Sequence, residues 1–387
     1  MKSSNRVEHL PSFHPNIKEV FMPTTTMISD NSVSEELYSP VAMSLPETTR
    51  WSWACRILPD LKGIQVREFP ARQPQAGDLA LVEVESIGSH ERITTNENIR
   101  MRIYSGDFIV GVYGNRYATD AYEAVIQADG NLSMLTAGGM IGTVVSRHRS
   151  ISKPTTLRLV GYLTNSKGEI LNLQKLSFTP AKPLHPVRNL VTVVGTGMNA
   201  GKTTSCVHLI KSLSSRGLRV AALKLTGSVS NRDQDEMKAA GAIKVLDFSD
   251  YGFPSTYLAD KETILSLFDT IMADIEPLQP DVIVMEIADG ILQRETRFLL
   301  EDQNLRRQIS AVVLAADNAL SARYGVSLLQ QLEQRVVGVT GLITSSPLCM
   351  KEFKEICKVP LASSAGQLEP IGDLVSQALH LAKPVGA

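Results

Sequence analysis

Val193-Val194-Gly195-Thr196-Gly197-Met198-Asn199-Ala200-Gly201-Lys202-Thr203-Thr204 is the stretch on which the reading of this chain turns. A β-branched run, Asn189 to Val194, leads into a glycine-rich turn. Gly-Lys-Thr then opens a segment in which Val207, Leu209, Ile210 and Leu213 recur at helical spacing until Gly217 stops it. Strand, glycine turn and helix together are the layout of a phosphate-binding loop. Glycines let successive backbone N–H groups curl around a polyphosphate, and the helix N-terminus adds its positive pole. Residues 195–204 would thus cradle a nucleotide, with Lys202 reaching the β- and γ-phosphates and the Thr203 hydroxyl ligating Mg²⁺. The loop is a variant, because strict spacing asks for glycine at 196, where Thr stands between Gly195 and Gly197.

Outward from this loop, further strands read at Val220–Leu223, Val282–Met285, Ala311–Ala315 and Val336–Leu342, with helical stretches between them. That alternation predicts an α/β domain over 188–387, a mostly parallel sheet flanked by helices. Its strand ends carry polar groups. Lys224 ends the second strand, where it either neutralises charge on a transferred phosphoryl group or sits solvated at a strand end. Ser230-Asn-Arg-Asp233-Gln-Asp235-Glu236 leads into a helix with Asp233 and Asp235, carboxylates of the kind a hard cation prefers. Acids at a helix N-terminus are equally expected from the dipole alone. The apolar run Asp281-Val-Ile-Val-Met-Glu286 delivers Glu286 to the sheet edge where open α/β sheets bind ligands, and Asp289 adds a second carboxylate three residues on. Arg294 reads as a phosphate contact or a surface ion pair. Asp317 ends a later strand and lines the same edge.

The loop resembles that of dethiobiotin synthetase, Gly-Thr-x-Thr-x-x-Gly-Lys-Thr, matching at Gly195, Thr196, Gly201, Lys202 and Thr203 and departing at Met198. The same class of P-loop NTPases includes the MobB protein of molybdenum cofactor synthesis and the cobyrinic acid amidating enzymes. The resemblance covers about 188–387. It implies a phosphoryl-transfer lysine at Lys224, although Leu225 replaces the family's proline, and Mg²⁺ contacts from Asp233 and Glu286. It places nucleobase recognition at Thr344 or Ser345. It also implies ATP with Mg²⁺ as cofactors, a small-molecule substrate and a homodimer. The departures at 198, 225, 287 and 289 argue against dethiobiotin synthesis itself. The Asn-Lys-x-Asp guanine signature is absent, which favours ATP over GTP.

The N-terminal half has a different texture. Residues 1–45 are rich in Ser, Thr and Pro and read as a flexible arm, or one that docks through Phe13, Phe21 and Met22. Over 46–180, short β-rich runs appear at Leu79–Glu85, Phe108–Tyr113, Met140–Val145, Leu157–Tyr162 and Leu171–Leu176, predicting an all-β barrel-like domain. A proline-rich stretch, 179–186, separates the halves. Gly114-Asn-Arg116-Tyr117-Ala-Thr-Asp120 is either a ligand or docking face, or a hairpin turn with a satisfied Arg116–Asp120 pair. Trp51 and Trp53 read as core or inter-domain packing.

Composition sets the remaining limits. Over 387 residues, 39 Lys and Arg balance 40 Asp and Glu, so no dominant basic surface predicts nucleic acid or an anionic membrane as partner. No apolar run approaches a membrane span, and Glu8, His9, Asn16, Lys18 and Glu19 interrupt any apolar leader, so a cytoplasmic protein is expected. The four cysteines are too few and too scattered for a disulfide framework or a zinc site. The leading expectation is an Mg-ATP-dependent ligase or kinase acting on a small molecule. A nucleotide switch or chaperone with the β domain as docking module, and a nucleotide-binding scaffold without turnover, are the competitors.

Overall fold

Six short runs rich in Val, Ile, Leu and Ala build one parallel sheet in the C-terminal half. The computed structural model describes residues 42–59, 62–69, 72–128, 130–182, 189–362 and 370–381. The sheet's strands are β11 (Leu190–Gly195), β12 (Val220–Lys224), β13 (Lys244–Asp247), β14 (Val282–Glu286), β15 (Ile309–Ala315) and β16 (Val336–Thr340), after ten strands in the N-terminal half. They lie in the order β13-β12-β14-β11-β15-β16, and every adjacent pair is parallel. Side chains alternate faces along each strand, and both faces are covered. Val191, Val193, Val220, Ala222 and Val284 pack with Cys206, Leu209, Ile210 and Leu213 of the helix α2 (Lys202–Ser214). On the other face, Leu190, Val194, Leu223, Met285 and Leu314 meet Ile264, Leu267, Phe268 and Ile271 of the helix α4 (Lys261–Ile275). Gly217, at φ +82°, follows α2 as its glycine predicts, and Gly341, at φ +92°, ends β16 two residues earlier than expected. β13 is a short edge strand that the sequence did not announce.

The N-terminal strands are β1 (Arg50–Trp51), β2 (Gln65–Arg67), β3 (Leu79–Ser86), β4 (Arg92–Thr94), β5 (Arg100–Arg102), β6 (Phe108–Tyr113), β7 (Tyr122–Val125), β8 (Leu132–Met134), β9 (Met140–Arg147) and β10 (Thr155–Thr164). Eight of them form one sheet and β4–β5 a separate hairpin. The all-β barrel-like expectation holds in part and is corrected in strand direction: the pairings β6-β3-β10-β8-β9 and β9–β6 run in a ring, but the sheet is mixed. β6 runs antiparallel to β3 but parallel to both β1 and β9. The physical reason lies in the connections: residues 114–139 carry the chain back to start β9 alongside β6, where a tight hairpin would have reversed it. A second correction falls at Leu171–Leu176. Asn172 caps Lys175 N at 3.2 Å and turns the chain into a short helix, α1 (Leu173–Ser177), where a strand was expected.

Both sheets belong to one compact unit. Val229 of the C-terminal half is buried in the apolar cluster of the first sheet, with Leu79, Leu81 and Val112. A Cβ at Gly138 would lie 2.8 Å from the Val229 carbonyl oxygen, so glycine is what permits this approach. Arg56 reaches across to Ser249 Oγ at 3.0 Å and to the carboxylates of Asp250 and Asp247, and lies over the Trp53 ring. Phe178 meets Phe253 edge-on at 5.1 Å between centroids. Trp51 and Trp53 both pack against the apolar cluster of the first sheet, the core half of the alternative read from the sequence. The arm residues Phe13, Phe21 and Met22 and residues 183–186 of the proline-rich stretch lie outside the described residues. Among the described residues all four cysteines are free, and no helix is long and apolar enough to cross a membrane.

Candidate active site at the strand ends

The phosphate loop takes its shape from two residues with positive φ. Gly201, at φ +101°, has no room for a side chain, since a Cβ there would lie 3.0 Å from Gly341 Cα. Asn199, at φ +59°, is of the type that tolerates this region. Gly195 leaves space for the Lys202 stem, which a Cβ would meet at 2.9 Å. Lys202 folds back over the loop and its Nζ donates to the Gly197 carbonyl at 2.9 Å. Met198 is half-buried, Asn199 and Thr204 are exposed and Ala200 is buried. Ala200 O accepts from Leu342 N at 3.2 Å, which brings the 341–345 turn onto the loop.

Parallel pairing places the other polar residues beside it. Lys224 on β12 and Glu286 on β14 are register partners. Thr203 Oγ1 lies 3.1 Å from both carboxylate oxygens of Glu286, which is 1% exposed. Lys224 Nζ is 3.6 Å from Glu286 Oε1 and pairs directly with Asp233, on the helix α3 (Arg232–Ala239). Lys202, Thr203, Lys224, Asp233 and Glu286 therefore come together. Asp235 points elsewhere and accepts from Asn98 and Asn231 at 3.1 and 3.2 Å. Thr344 lies near the loop, its hydroxyl donating to Gly341 O at 2.8 Å, and Ser345 beside it is exposed.

Burial opposes the charge on Lys224, but Glu286 and Asp233 outweigh it and hold its pKa above the usual lysine value. Lys202 shifts down, because burial is offset only in part by Glu286 and Asp289. A hydroxyl and a buried carboxylate 3.1 Å apart are hard oxygen donors of the kind Mg²⁺ takes. Among the described residues no three His, Cys, Asp or Glu side chains group as a self-sufficient metal site.

Three features escaped the sequence reading. Asp317, expected only to line the edge, accepts from Thr196 Oγ1 at 3.1 Å and so fixes the start of the loop. Asp120 does not pair with Arg116; it accepts from Asn199 Nδ2 at 2.7 Å, so the first sheet touches the phosphate loop. Arg116 instead donates to the Leu135 carbonyl and lies over the Tyr122 ring. The polar cluster at 114–120 was the available signal, but its target lies 79 residues away in sequence. Arg294 proves to be an ion-pair residue, 2.6 Å from the buried Glu295.

Residues 191–360 match the family model of the CobQ/CobB/MinD/ParA nucleotide binding domain. No curated protein sequence matches the chain. Among solved structures, the signal recognition particle receptor FtsY of Elizabethkingia anophelis is 16% identical, with 54% of this chain and 70% of that one covered and a TM-score of 0.34. Chloroplast FtsY of Physcomitrella patens is 14% identical over 54% of this chain and 70% of that one, with a TM-score of 0.33. The kinase domain of the Escherichia coli tyrosine kinase ETK is 12% identical over 39% and 66%, with a TM-score of 0.28. The family match spans 191–360 and takes in the phosphate loop and the strands that end in Lys224 and Glu286, so this part of the chain resembles a nucleotide-binding domain of that kind.

Proposed function

We propose that the chain is an Mg-ATP-dependent enzyme that transfers the γ-phosphoryl group to a small molecule. The observation that carries this reading is the convergence of Lys202, Thr203, Lys224, Asp233 and Glu286 at the C-terminal ends of β11, β12 and β14. Phosphoryl transfer asks for little beyond positioning and charge neutralisation, and these groups supply both. Lys202 leaves the Gly197 carbonyl to meet the β- and γ-phosphates. Lys224, held charged by its two carboxylates, faces the charge that spreads over the transferred group. Thr203 and Glu286 would hold Mg²⁺, and Asp233 steers Lys224. Bound there, Mg²⁺ would supply neutralisation of phosphate charge. The missing guanine signature supports ATP.

A specific contact favours a second reading, a nucleotide-dependent switch. Asp120 of the 114–120 loop accepts from Asn199 of the phosphate loop, a contact through which nucleotide occupancy would bias the first half of the chain. Phosphate release by the full chain separates the two. The enzyme reading expects Mg²⁺-dependent ATP turnover that a small metabolite accelerates. Acceleration only by a protein partner, or far tighter binding of GTP than ATP, would overturn it.

A further inference from the structure

The ring of strands in the first sheet has a gap between β9 and β10. Thr143 of β9 pairs with Leu132 of β8 on one edge and with Val125 of β7 on the other. β7 continues beside residues 144–147, whereas β8 reaches only to Leu132. The β8-side edge of 144–147 therefore has no neighbouring strand among the described residues. The facing edge of β10 is alike. Thr156 pairs with Ser133 of β8 and Ser86 of β3, and Tyr162 with Arg67 of β2 and Ala80 of β3. β3 thus covers one edge of β10, while the other edge is bare over 157–161, between β8 and β2, among the described residues. Gly130 marks where the chain leaves the line of β8, packed so closely on β9 that a Cβ would clash with Thr143 Oγ1.

An open groove of about 700 Å³ runs between the two bare edges. Residues 144–147 line one side and 156–159 the other, with Tyr113 and Leu132 also on its wall. Where β8 is present it sits between β9 and β10, so the groove prolongs a space one strand wide, about 4.8 Å from each neighbour. Val145 and Leu159 on its walls are 50% and 38% exposed. Native sheets keep single bare edges short, charged or covered. Two bare edges facing one slot, with uncovered apolar side chains beside them, make a place for an added strand. Charge selects the occupant. Arg147, Lys153 and Arg158 line the groove against one carboxylate, Glu85. Arg158 pairs with Glu83 and Arg147 donates to Ile151 O at 3.0 Å, but the Lys153 ammonium has no partner among the described residues. Independently of the nucleotide reading, we infer that the slot receives an extended, acidic segment of a partner protein as an added strand. Backbone groups of the segment pair with the bare edges of β9 and β10. Its alternate side chains meet Val145, Leu157 and Leu159, and its carboxylates meet the cations of the rim. A compact ligand would leave both edges unpaired.

The test uses the full chain and a fluorescent, end-blocked peptide in which valine and glutamate alternate over about seven residues, long enough to span the slot. Fluorescence anisotropy should report saturable binding. Replacing the glutamates by lysines should weaken it about tenfold or more. Methylating alternate backbone nitrogens keeps the side chains and removes the donors a strand needs, and should weaken binding about as much. Hydrogen exchange should slow at 144–147 and 157–161 when the peptide binds. Arg147→Glu combined with Lys153→Glu changes two exposed side chains. The double variant should bind the acidic peptide about tenfold more weakly, with its melting temperature and nucleotide affinity kept. Absence of saturable binding at millimolar peptide, or slowed exchange only outside the two stretches, would overturn the site. Equal binding of the methylated peptide would overturn strand addition, and equal binding of the lysine peptide would overturn the acidic class. Dimers of the chain that Val145→Asp dissolves, with no peptide bound, would give the slot to a second copy and overturn the partner.

Discussion

The parallel sheet and the mixed sheet reach the same site by different routes. The parallel sheet places its groups by backbone pairing: once β12 lies beside β14, Lys224 and Glu286 must face one another. The mixed sheet contributes through a connection, the 114–120 loop, which meets the phosphate loop only because the two halves pack on each other. Groups set by register tolerate disturbance elsewhere in the molecule. Groups set by packing depend on the interface, which makes the comparison testable.

Lys202→Ala should have the largest effect, since it removes a phosphate-facing charge that register and loop geometry fix. ATP turnover is expected to fall about 10²–10³-fold, measured as phosphate release, with the melting temperature little changed. Loss of folding in place of activity would mean that the loop is structural. Arg56→Ala tests the interface. It leaves Asp247, which is 2% exposed, without its cross-sheet cation, and should cost about 3 kcal/mol in chemical denaturation at pH 7.5. Asp247 has a pKa raised to about 6 by burial, with Asp250 adding and Arg56 opposing. A folded-state pKa above the unfolded one lowers stability as pH rises through that range. Without Arg56 the rise is greater, so the deficit of the variant should be smaller at pH 5 than at pH 7.5. A deficit independent of pH would remove the electrostatic account.

Asp120→Ala should have the smallest effect. The exposed bond to Asn199 is worth about 0.5–1 kcal/mol, so nucleotide affinity is expected to change about two- to fivefold in a fluorescent-nucleotide titration. No change would leave the mixed sheet without a part in nucleotide binding, and a change above about 20-fold would favour the switch reading.

The chain's own order of residues made much of the C-terminal half legible. Val193 to Thr204, the helical spacing of Val207 to Leu213 and the apolar run ending in Glu286 each carry their meaning within a dozen residues, because loop curvature, helix period and strand burial are local properties. The same local reading failed at Leu171–Leu176, where one capping side chain outweighed a β-like pattern, and at β6, whose parallel neighbours depend on connections that run far from it. It also failed at Asp120. A turn rich in Asn, Arg and Asp satisfies its own residues as readily as it binds others, and sequence gives no sign of which.

By itself, then, the sequence determined that a glycine-rich loop leads from a buried strand into a helix at Gly-Lys-Thr, and that Glu286 ends a buried strand. Only the tertiary structure decided that Lys224 is clamped by Asp233 and Glu286, and that Asp120 of the 114–120 loop meets the glycine-rich loop at Asn199. The physical reason is range. Backbone conformation is settled by neighbours in the chain, whereas desolvation, charge pairing and unfilled hydrogen bonds are settled by whatever folding brings into contact.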